Sequence, residues 1–290
     1  MSSAPTPAPA STSSAPEPWA KPVPLSNLPP LGALATVLGI TVARQLRGKR
    51  IWLFVLLFAA PLAMALFLRR YEVAYSAGAT ERALIFGLIP QAVLPLAALL
   101  FASSLVQDDV EEQTLTYLLI RPIPRWAVYL AKVLGATLVT ATLAALFTTA
   151  ALATVNWGID HYGASELIEQ AGATAGLWTL VILAYISIFS FLGLLTKRVL
   201  VVGVGYTLVF EGIVSNIPFL VRYGTILFHL RVLVVRLLGM DGGDWSINLE
   251  EAPTVATSVS VLLGVSAVFL ALGAWLFSVR EFRVKTPEGR

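Results

Sequence analysis

Long apolar stretches separated by short polar segments form the main pattern along this 290-residue chain. Each stretch holds about 18 or more predominantly apolar residues, which is enough for a helix to cross the hydrocarbon core of a bilayer. Charged residues are concentrated between the stretches. The pattern therefore predicts an all-α integral membrane protein with six transmembrane helices, near residues 51–68, 83–106, 127–155, 174–195, 199–221 and 254–278.

Two segments precede the first predicted span. Residues 1–30 hold nine of the 17 prolines, interleaved with alanine and serine, and predict a disordered tail. Between residues 31 and 50, Leu34 and Leu38 fall on one helical face and basic residues crowd the end. This apolar part is too short to cross a bilayer, so it predicts an amphipathic elbow helix in the membrane interface. We divide the chain into the tail and a transmembrane domain, residues 31–290.

The distribution of lysine and arginine predicts the orientation. With the N-terminus in the cytoplasm, 14 of the 20 basic residues fall on the cytoplasmic side and six on the outside. Basic residues favour the cytoplasmic side of membrane proteins. The predicted loop 156–173 has no lysine or arginine, which suits an outer loop. Both termini are therefore predicted to be cytoplasmic, together with the loop between the second and third spans.

That loop is the longest charged segment, from Gln107 to Lys132. Four acids precede leucines at helical spacing, and a proline pair then ends the helix. Acids at the start and a cation at the end suit the helix macrodipole. The pattern predicts a short amphipathic helix, although any cytoplasmic loop of a membrane protein can carry one. The residues concerned are Asp108, Asp109, Glu111, Glu112, Thr114, Leu115, Leu118, Leu119, Arg121, Pro122, Ile123 and Arg125.

This loop resembles the first intracellular loop of ABC-2 type transporter permeases. In that family an acid-rich turn enters a Glu-x-x-Thr-Leu-x-x-Leu-Leu helix, followed by a Pro-Ile-x-Arg turn and a lysine one turn into the next span. The matching residues are Glu111, Thr114, Leu115, Leu118, Leu119, Pro122, Ile123, Arg125 and Lys132.

The resemblance implies a coupling helix at residues 107–121 that docks on a separate P-loop ATPase subunit, which would carry ATP and magnesium. Asp108, Asp109, Glu112 and Arg121 would belong to the same docking segment. The resemblance also implies a permease subunit for export in the inner or plasma membrane. Six spans form one half of such a permease, so a second copy or a close homologue is expected.

Glu211 is the thirteenth residue of the predicted fifth span. An ionisable side chain at that depth costs roughly 2.5–3.5 kcal/mol or more, so it normally faces protein or water. One interpretation is a hydrogen-bonded acid within the bundle, with Ser215 at i+4 as a possible partner. The other is a polar group that lines a translocation path or gate.

The segment between the fifth and sixth spans carries its own helix signals. Thr225 can cap a helix that runs to Gly239, and Arg222, His229 and Arg236 recur every seven residues on one stripe. This segment is too polar for a seventh span. It predicts an amphipathic helix at the outer surface, or a re-entrant one.

Threonines are frequent in the third span. Thr137, Thr142, Thr148 and Thr149 are among them. Small and hydroxyl residues favour close helix packing in lipid, and the same side chains could instead form a hydrophilic conduit wall.

Composition excludes several classes of function. With 57% hydrophobic and 13% charged residues, the chain differs from soluble proteins, in which about 25% of residues are charged. The absence of cysteine excludes disulfides, thiol catalysis and cysteine-bound metals. No P-loop motif occurs, so any ATP hydrolysis is expected on another subunit. We expect no catalysis, cofactor or metal in this chain alone, and no nucleic-acid partner.

Two other functions fit parts of the pattern. A membrane scaffold could recruit a cytoplasmic partner through residues 107–126 and the tail without moving a substrate. A secondary transporter could use Glu211 as a proton site, although the internal repeats typical of that class are absent.

Overall fold

Helices make up the structure throughout the part of the chain that the computed structural model describes. The described residues are 31–70, 77–105, 124–156, 163–217, 220–245 and 247–279, and no strand occurs among them. The α-helices are α1 (Leu31–Arg47), α2 (Arg50–Arg70), α3 (Ala77–Thr80), α4 (Leu94–Ala102), α5 (Arg125–Asn156), α6 (Ala164–Leu195), α7 (Val199–Tyr206), α8 (Ile226–Leu238) and α9 (Val255–Val279). Glu81–Val93 and Thr207–Ile213 are π-helical, and short 3₁₀ turns cover Val214–Asn216, Leu220–Gly224 and Gly243–Trp245.

Six of these helical stretches are long and apolar enough to cross a membrane. In chain order they are Arg50–Arg70, Gly78–Ala102, Arg125–Asn156, Ala164–Leu195, Val199–Asn216 and Val255–Val279, and we call them the first to the sixth span. The prediction of an all-helical protein with six spanning helices is confirmed. The composition and length of these helices make the chain a multi-pass membrane protein.

The fourth span lies at the centre of the bundle. It contacts the second, third, fifth and sixth spans and also α8. Trp178, Tyr185 and Phe189 on this span are completely buried. The indole Nε1 of Trp178 donates to the hydroxyl of Thr148 on the third span over 3.0 Å. A polar contact of this kind fixes how the two spans lie against each other within an apolar core.

One glycine lies at a close approach of the sixth span to the third. A Cβ atom at Gly273 would overlap the hydroxyl of Tyr129. That hydroxyl is 2.8 Å from the hydroxyl of Ser190 on the fourth span. Three spans therefore meet at a point where only a residue without a side chain fits.

Two predicted boundaries are wrong. The fourth span begins at Ala164 rather than at 174, so most of the predicted outer loop 156–173 is not a loop. Its first turn is stabilised by Glu166, whose carboxylate accepts a hydrogen bond from the backbone amide of Gly163 over 2.9 Å. The fifth span ends at Asn216 rather than at 221, because the chain becomes extended at Ile217.

The predicted elbow helix is present as α1 and packs along the start of α5. Val37 contacts Ala127, Val128 and Ala131 in a small apolar cluster. The position of α1 in the membrane interface and the orientation of the termini stay predictions. The predicted disordered tail and coupling helix lie outside the described residues.

The helix predicted after Thr225 is also present, as α8. The side chain of Thr225 accepts a hydrogen bond from the backbone amide of Phe228 over 3.3 Å, and Gly239 ends the helix in the left-handed conformation at φ 64°. Ten of the thirteen residues of α8 are buried, so the helix does not present the exposed polar stripe that we predicted. His229, which we assigned to a polar stripe, is only 2% exposed. The helix packs against the second, fourth and sixth spans, and its position at the outer surface or as a re-entrant helix stays a prediction.

Candidate functional site

The residues predicted to couple to an ATPase fall almost entirely outside the described part of the chain. Asp108, Asp109, Glu111, Glu112, Thr114, Leu115, Leu118, Arg121 and Pro122 lie there, and only Arg125 is described. Arg125 is the first residue of α5. The structure shows the two helix ends between which the segment runs.

Lys132 connects those two helix ends. Its side chain is 6% exposed, and its Nζ donates to the backbone carbonyl of Leu105 over 3.1 Å. A cation at a carbonyl near the end of a helix is favourable because the macrodipole is negative there. The second and third spans are therefore tied together where the predicted coupling segment leaves one and enters the other.

The side chain of Glu211 is completely buried in the fifth span. One carboxylate oxygen accepts a hydrogen bond from the backbone amide of Leu227 over 2.9 Å. The other accepts from the backbone amide of Ile226 over 3.4 Å and from the hydroxyl of Tyr206 over 3.3 Å. Ile226 and Leu227 are the first residues of α8, so the carboxylate occupies the positive end of that helix.

Ser215, predicted as a partner of the Glu211 carboxyl, makes a different contact. Its hydroxyl donates to the backbone carbonyl of Glu211, which is the usual contact of a helical serine with the preceding turn. The carboxylate instead reaches residues that follow it by 15 and 16 positions. Tyr185 on the fourth span also faces the carboxylate, but its buried hydroxyl falls short of hydrogen-bond geometry.

Arg231 supplies a second buried charge one turn into α8. One terminal nitrogen donates to the side-chain oxygen of Asn216 over 2.9 Å and the other to that of Gln91 over 3.5 Å. The guanidinium also lies 5.8 Å from the ring centre of Trp245. Burial lowers the pKa of Arg231, and the charge of Glu211 opposes that shift. Glu211 and Arg231 each form their hydrogen bonds with neutral groups.

His229 connects α8 to the other side of the bundle. Its Nε2 lies 2.8 Å from the backbone carbonyl of Tyr223, and its Nδ1 lies 3.3 Å from the hydroxyl of Ser258 on the sixth span. Because a carbonyl only accepts, Nε2 carries the proton and Nδ1 accepts from the serine. Burial lowers the pKa of His229 and outweighs the opposing effect of the Tyr223 carbonyl. The imidazole is therefore neutral at pH 7.

Both π-helical stretches contribute to this junction. Gln91 lies in Glu81–Val93 and Glu211 lies in Thr207–Ile213, and the two stretches contact each other. π-Helical turns are frequent at functional sites. We define the polar junction as Gln91, Tyr206, Glu211, Asn216 and Arg231. It joins the second span, the fifth span and α8, with Glu211 and Arg231 buried, Gln91 and Tyr206 half-buried and Asn216 exposed.

Comparison with known proteins places the chain in a family. The model of the DUF2705 family, described as proteins of unknown function, matches residues 51–283, well over half of the chain. The chain belongs to the DUF2705 family. No curated protein matches it. The matched region contains all six spans, α8 and every residue of the polar junction.

A second buried carboxyl in this DUF2705 protein escaped the sequence analysis. Glu81, at the start of the second span, is 6% exposed. One of its oxygens accepts from the side-chain amide of Gln170 on the fourth span, and the other from that of Asn156 at the end of the third over 3.3 Å. The sequence does carry a signal for this cluster, because an acid or a side-chain amide lies near one end of each of three consecutive spans. Polar residues at such ends are usually taken for solvated loop positions.

The threonines of the third span divide between packing and an open surface. Thr140 and Thr148 are buried, and Thr148 bonds Trp178. Thr142, Thr149 and the buried Thr137 line an open groove of about 980 Å³ that runs along one face of α5. The other lining residues are mainly alanine and leucine, so the groove is largely apolar.

Neither the polar junction nor the cluster around Glu81 forms a metal site. Among the described residues no group of three or more histidines, aspartates or glutamates lies close enough together to hold a metal ion. The polar junction has one carboxylate; Tyr206 and Arg231 donate in it, and Asn216 and Gln91 accept through their amide oxygens. Its chemistry is that of hydrogen bonding and charge compensation within the bundle.

Proposed function

We propose that this DUF2705 protein is the permease subunit of an ABC transporter, acting in export. In this proposal the helix at residues 107–121 docks on a separate P-loop ATPase that binds ATP and magnesium. Closing of the ATPase dimer would move the docked helices and shift the spans between two arrangements. A second copy or a close homologue would complete the translocation path in the cell membrane.

The observation that carries the proposal is the fixed base of the coupling segment. Lys132 holds the end of the second span to the start of the third, since its Nζ donates to the carbonyl of Leu105. A force applied to the intervening segment would therefore act on both spans together. The packing of α1 against α5, and α8 between the last two spans, also agree with the resemblance to ABC-2 permeases.

Glu211 enters the proposal as a residue of the path or its gate. Its carboxyl is enclosed by protein in the arrangement described, so a role along the path would require movement of α8. The substrate class is not part of the proposal, because no described pocket shows a recognisable binding chemistry. The threonine-bearing groove on α5 is a surface that a second chain or lipid could cover.

Charge reversal in the coupling segment tests the proposal. Glu111→Lys with Glu112→Lys should reduce co-purification of an ABC ATPase subunit from the same organism by about tenfold or more, since like charges brought together at an interface are strongly unfavourable. Membrane insertion should be unchanged. Glu250→Lys with Glu251→Lys is the matched control, because these two acids are adjacent and exposed in the segment before the sixth span.

Two outcomes would contradict the proposal. Equal ATPase recovery with the wild type and the 111/112 variant would show that this segment is not the docking site. ATPase binding without any effect of the permease on ATP turnover would favour the scaffold interpretation, in which a partner is recruited and nothing is transported.

A further inference from the structure

The position of α8 raises a question that apolar packing does not answer by itself. At thirteen residues the helix is too short to cross a bilayer, yet it is buried among the spans. Leu227, Leu230 and Leu233 join the main apolar core. Apolar side chains fit the interior of a membrane bundle and the lipid about equally well. Contacts of these leucines therefore do little to keep α8 inside the bundle rather than at its edge.

Polar contacts distinguish the two positions. The first backbone amides of α8 have no partner within their own helix, and in a membrane they must be satisfied by another group. Thr225 satisfies the amide of Phe228 from within the same segment. The amides of Ile226 and Leu227 are satisfied by Glu211 on the fifth span. This part of the capping therefore exists only while α8 is docked against that span.

Two side chains further along α8 form other hydrogen bonds to the bundle. Arg231 is held by Asn216 and Gln91, while His229 reaches Ser258 on the sixth span. The carboxylate of Glu211 lies at the positive end of the helix, where a negative charge is favourable. Protonation of Glu211 would remove the charge that this end of the helix favours and would add a donor where two backbone amides already donate.

We propose that the Glu211 carboxylate holds α8 inside the bundle as long as it is charged. We call its hydrogen bonds to the first amides of α8 the latch. While these hydrogen bonds are formed, α8 and the fifth span behave as one unit. This unit packs against the π-helical stretch of the second span. When the carboxylate loses its charge, α8 opens locally while the six spans remain assembled. The inference concerns how this helix is held and does not depend on the proposed function.

The natural absence of cysteine allows a direct test. Val232 lies on α8 with a completely buried side chain, and Val232→Cys places the only thiol of the chain there. Its reaction with a membrane-permeable maleimide is measured in the complete protein in lipid. With Glu211 intact the thiol should react slowly. With Glu211→Gln the reaction should become about tenfold faster or more, because local opening exposes the thiol.

Matched controls separate local release from general loosening. Glu81→Gln makes the same chemical change at the other buried carboxyl and should alter the reaction at residue 232 by less than about twofold. Leu262→Cys reports on the sixth span, where the native side chain is also completely buried. This second thiol should remain protected when Glu211 is changed to glutamine.

Three results would overturn the latch. The first is unchanged protection at residue 232 in Glu211→Gln. The second is equal acceleration at residues 232 and 262, which would mean that the whole bundle loosens. If Glu211→Gln yields no folded protein, Glu211→Asp decides, because it keeps the charge and removes one methylene. Protection close to wild type supports the latch, whereas protection lost in Glu211→Asp would show that side-chain packing holds α8.

Discussion

Glu211 and Glu81 are both carboxyls buried among membrane helices, but they are held in different ways. Glu81 lies near one end of the bundle and accepts hydrogen bonds from the side-chain amides of Asn156 and Gln170. Glu211 lies in the interior and accepts from two backbone amides at the start of α8. One site is built from side chains that project from neighbouring spans, and the other from the main chain of a single short helix.

The difference determines what each site tolerates. A side-chain amide can turn by 180° and offer its oxygen where its nitrogen had been. A backbone amide cannot turn without unwinding the helix, so it always presents a donor. The site around Glu81 can therefore adapt to a neutral residue. The site around Glu211 needs a hydrogen-bond acceptor at both positions that the carboxylate oxygens occupy.

The largest expected effect follows from replacing each acid by glutamine. In Glu211→Gln the new NH₂ group must face a fixed backbone donor, and we expect the free energy of unfolding to fall by about 2 kcal/mol. In Glu81→Gln the partner amide can turn, and the loss should stay below about 1 kcal/mol. Thermal or denaturant unfolding of the two variants in the same detergent measures the difference.

Equal losses in the two variants would show that burial alone sets the effect. A larger loss in Glu81→Gln would reverse the comparison and would place the more rigid donors at the bundle end.

A smaller effect is expected at the cap that α8 provides for itself. Thr225→Ala removes the acceptor for the amide of Phe228 and should cost about 1 kcal/mol in the same unfolding measurement. Thr174→Ala is the control near Glu81, since the buried hydroxyl of Thr174 has no hydrogen-bond partner within the described residues. That variant should be close to wild type, and a cost as large as that of Thr225→Ala would argue against the assigned cap.

The smallest effect is expected from Ser215→Ala. The serine hydroxyl bonds the backbone carbonyl of Glu211 and leaves the carboxylate untouched, so the change should stay within about 0.5 kcal/mol. Unfolding of Ser215→Ala beside Glu211→Gln measures this. A loss comparable to that of Glu211→Gln would mean that the serine supports the carboxyl, as the sequence analysis allowed.

The spans were predictable because a long apolar run in a membrane protein is stable as a helix that crosses the bilayer. The predicted first, third and sixth spans agree with α2, α5 and α9 to within a few residues. Helix α8 was predictable for a different reason, since Thr225 and Gly239 carry local capping signals. The start of the fourth span was missed because acids in a first turn also occur in loops.

Part of the polar junction was predictable as well. A single acid in an apolar run identifies itself, and Glu211 was found in this way. Its partners could not be found, because backbone amides leave no mark in a sequence and lie 15 and 16 residues further along. Spacing along one helix suggested Ser215, which is the wrong contact for the carboxylate. Glu81 was missed because it lies where an apolar run begins.

The capping of α8 by the preceding span also has a consequence for biogenesis. The fifth span has the lowest mean hydropathy of the six and leaves the ribosome before α8 does. Its carboxyl therefore enters the translocon environment with no partner, and the amides that satisfy it are synthesised only afterwards. Once Ile226 and Leu227 have been synthesised, their amides can bond the Glu211 carboxyl. This satisfies the polar groups of the fifth span and of α8 at the same time. The fifth span and α8 are thus expected to enter the membrane as one folding unit, before the sixth span closes the bundle.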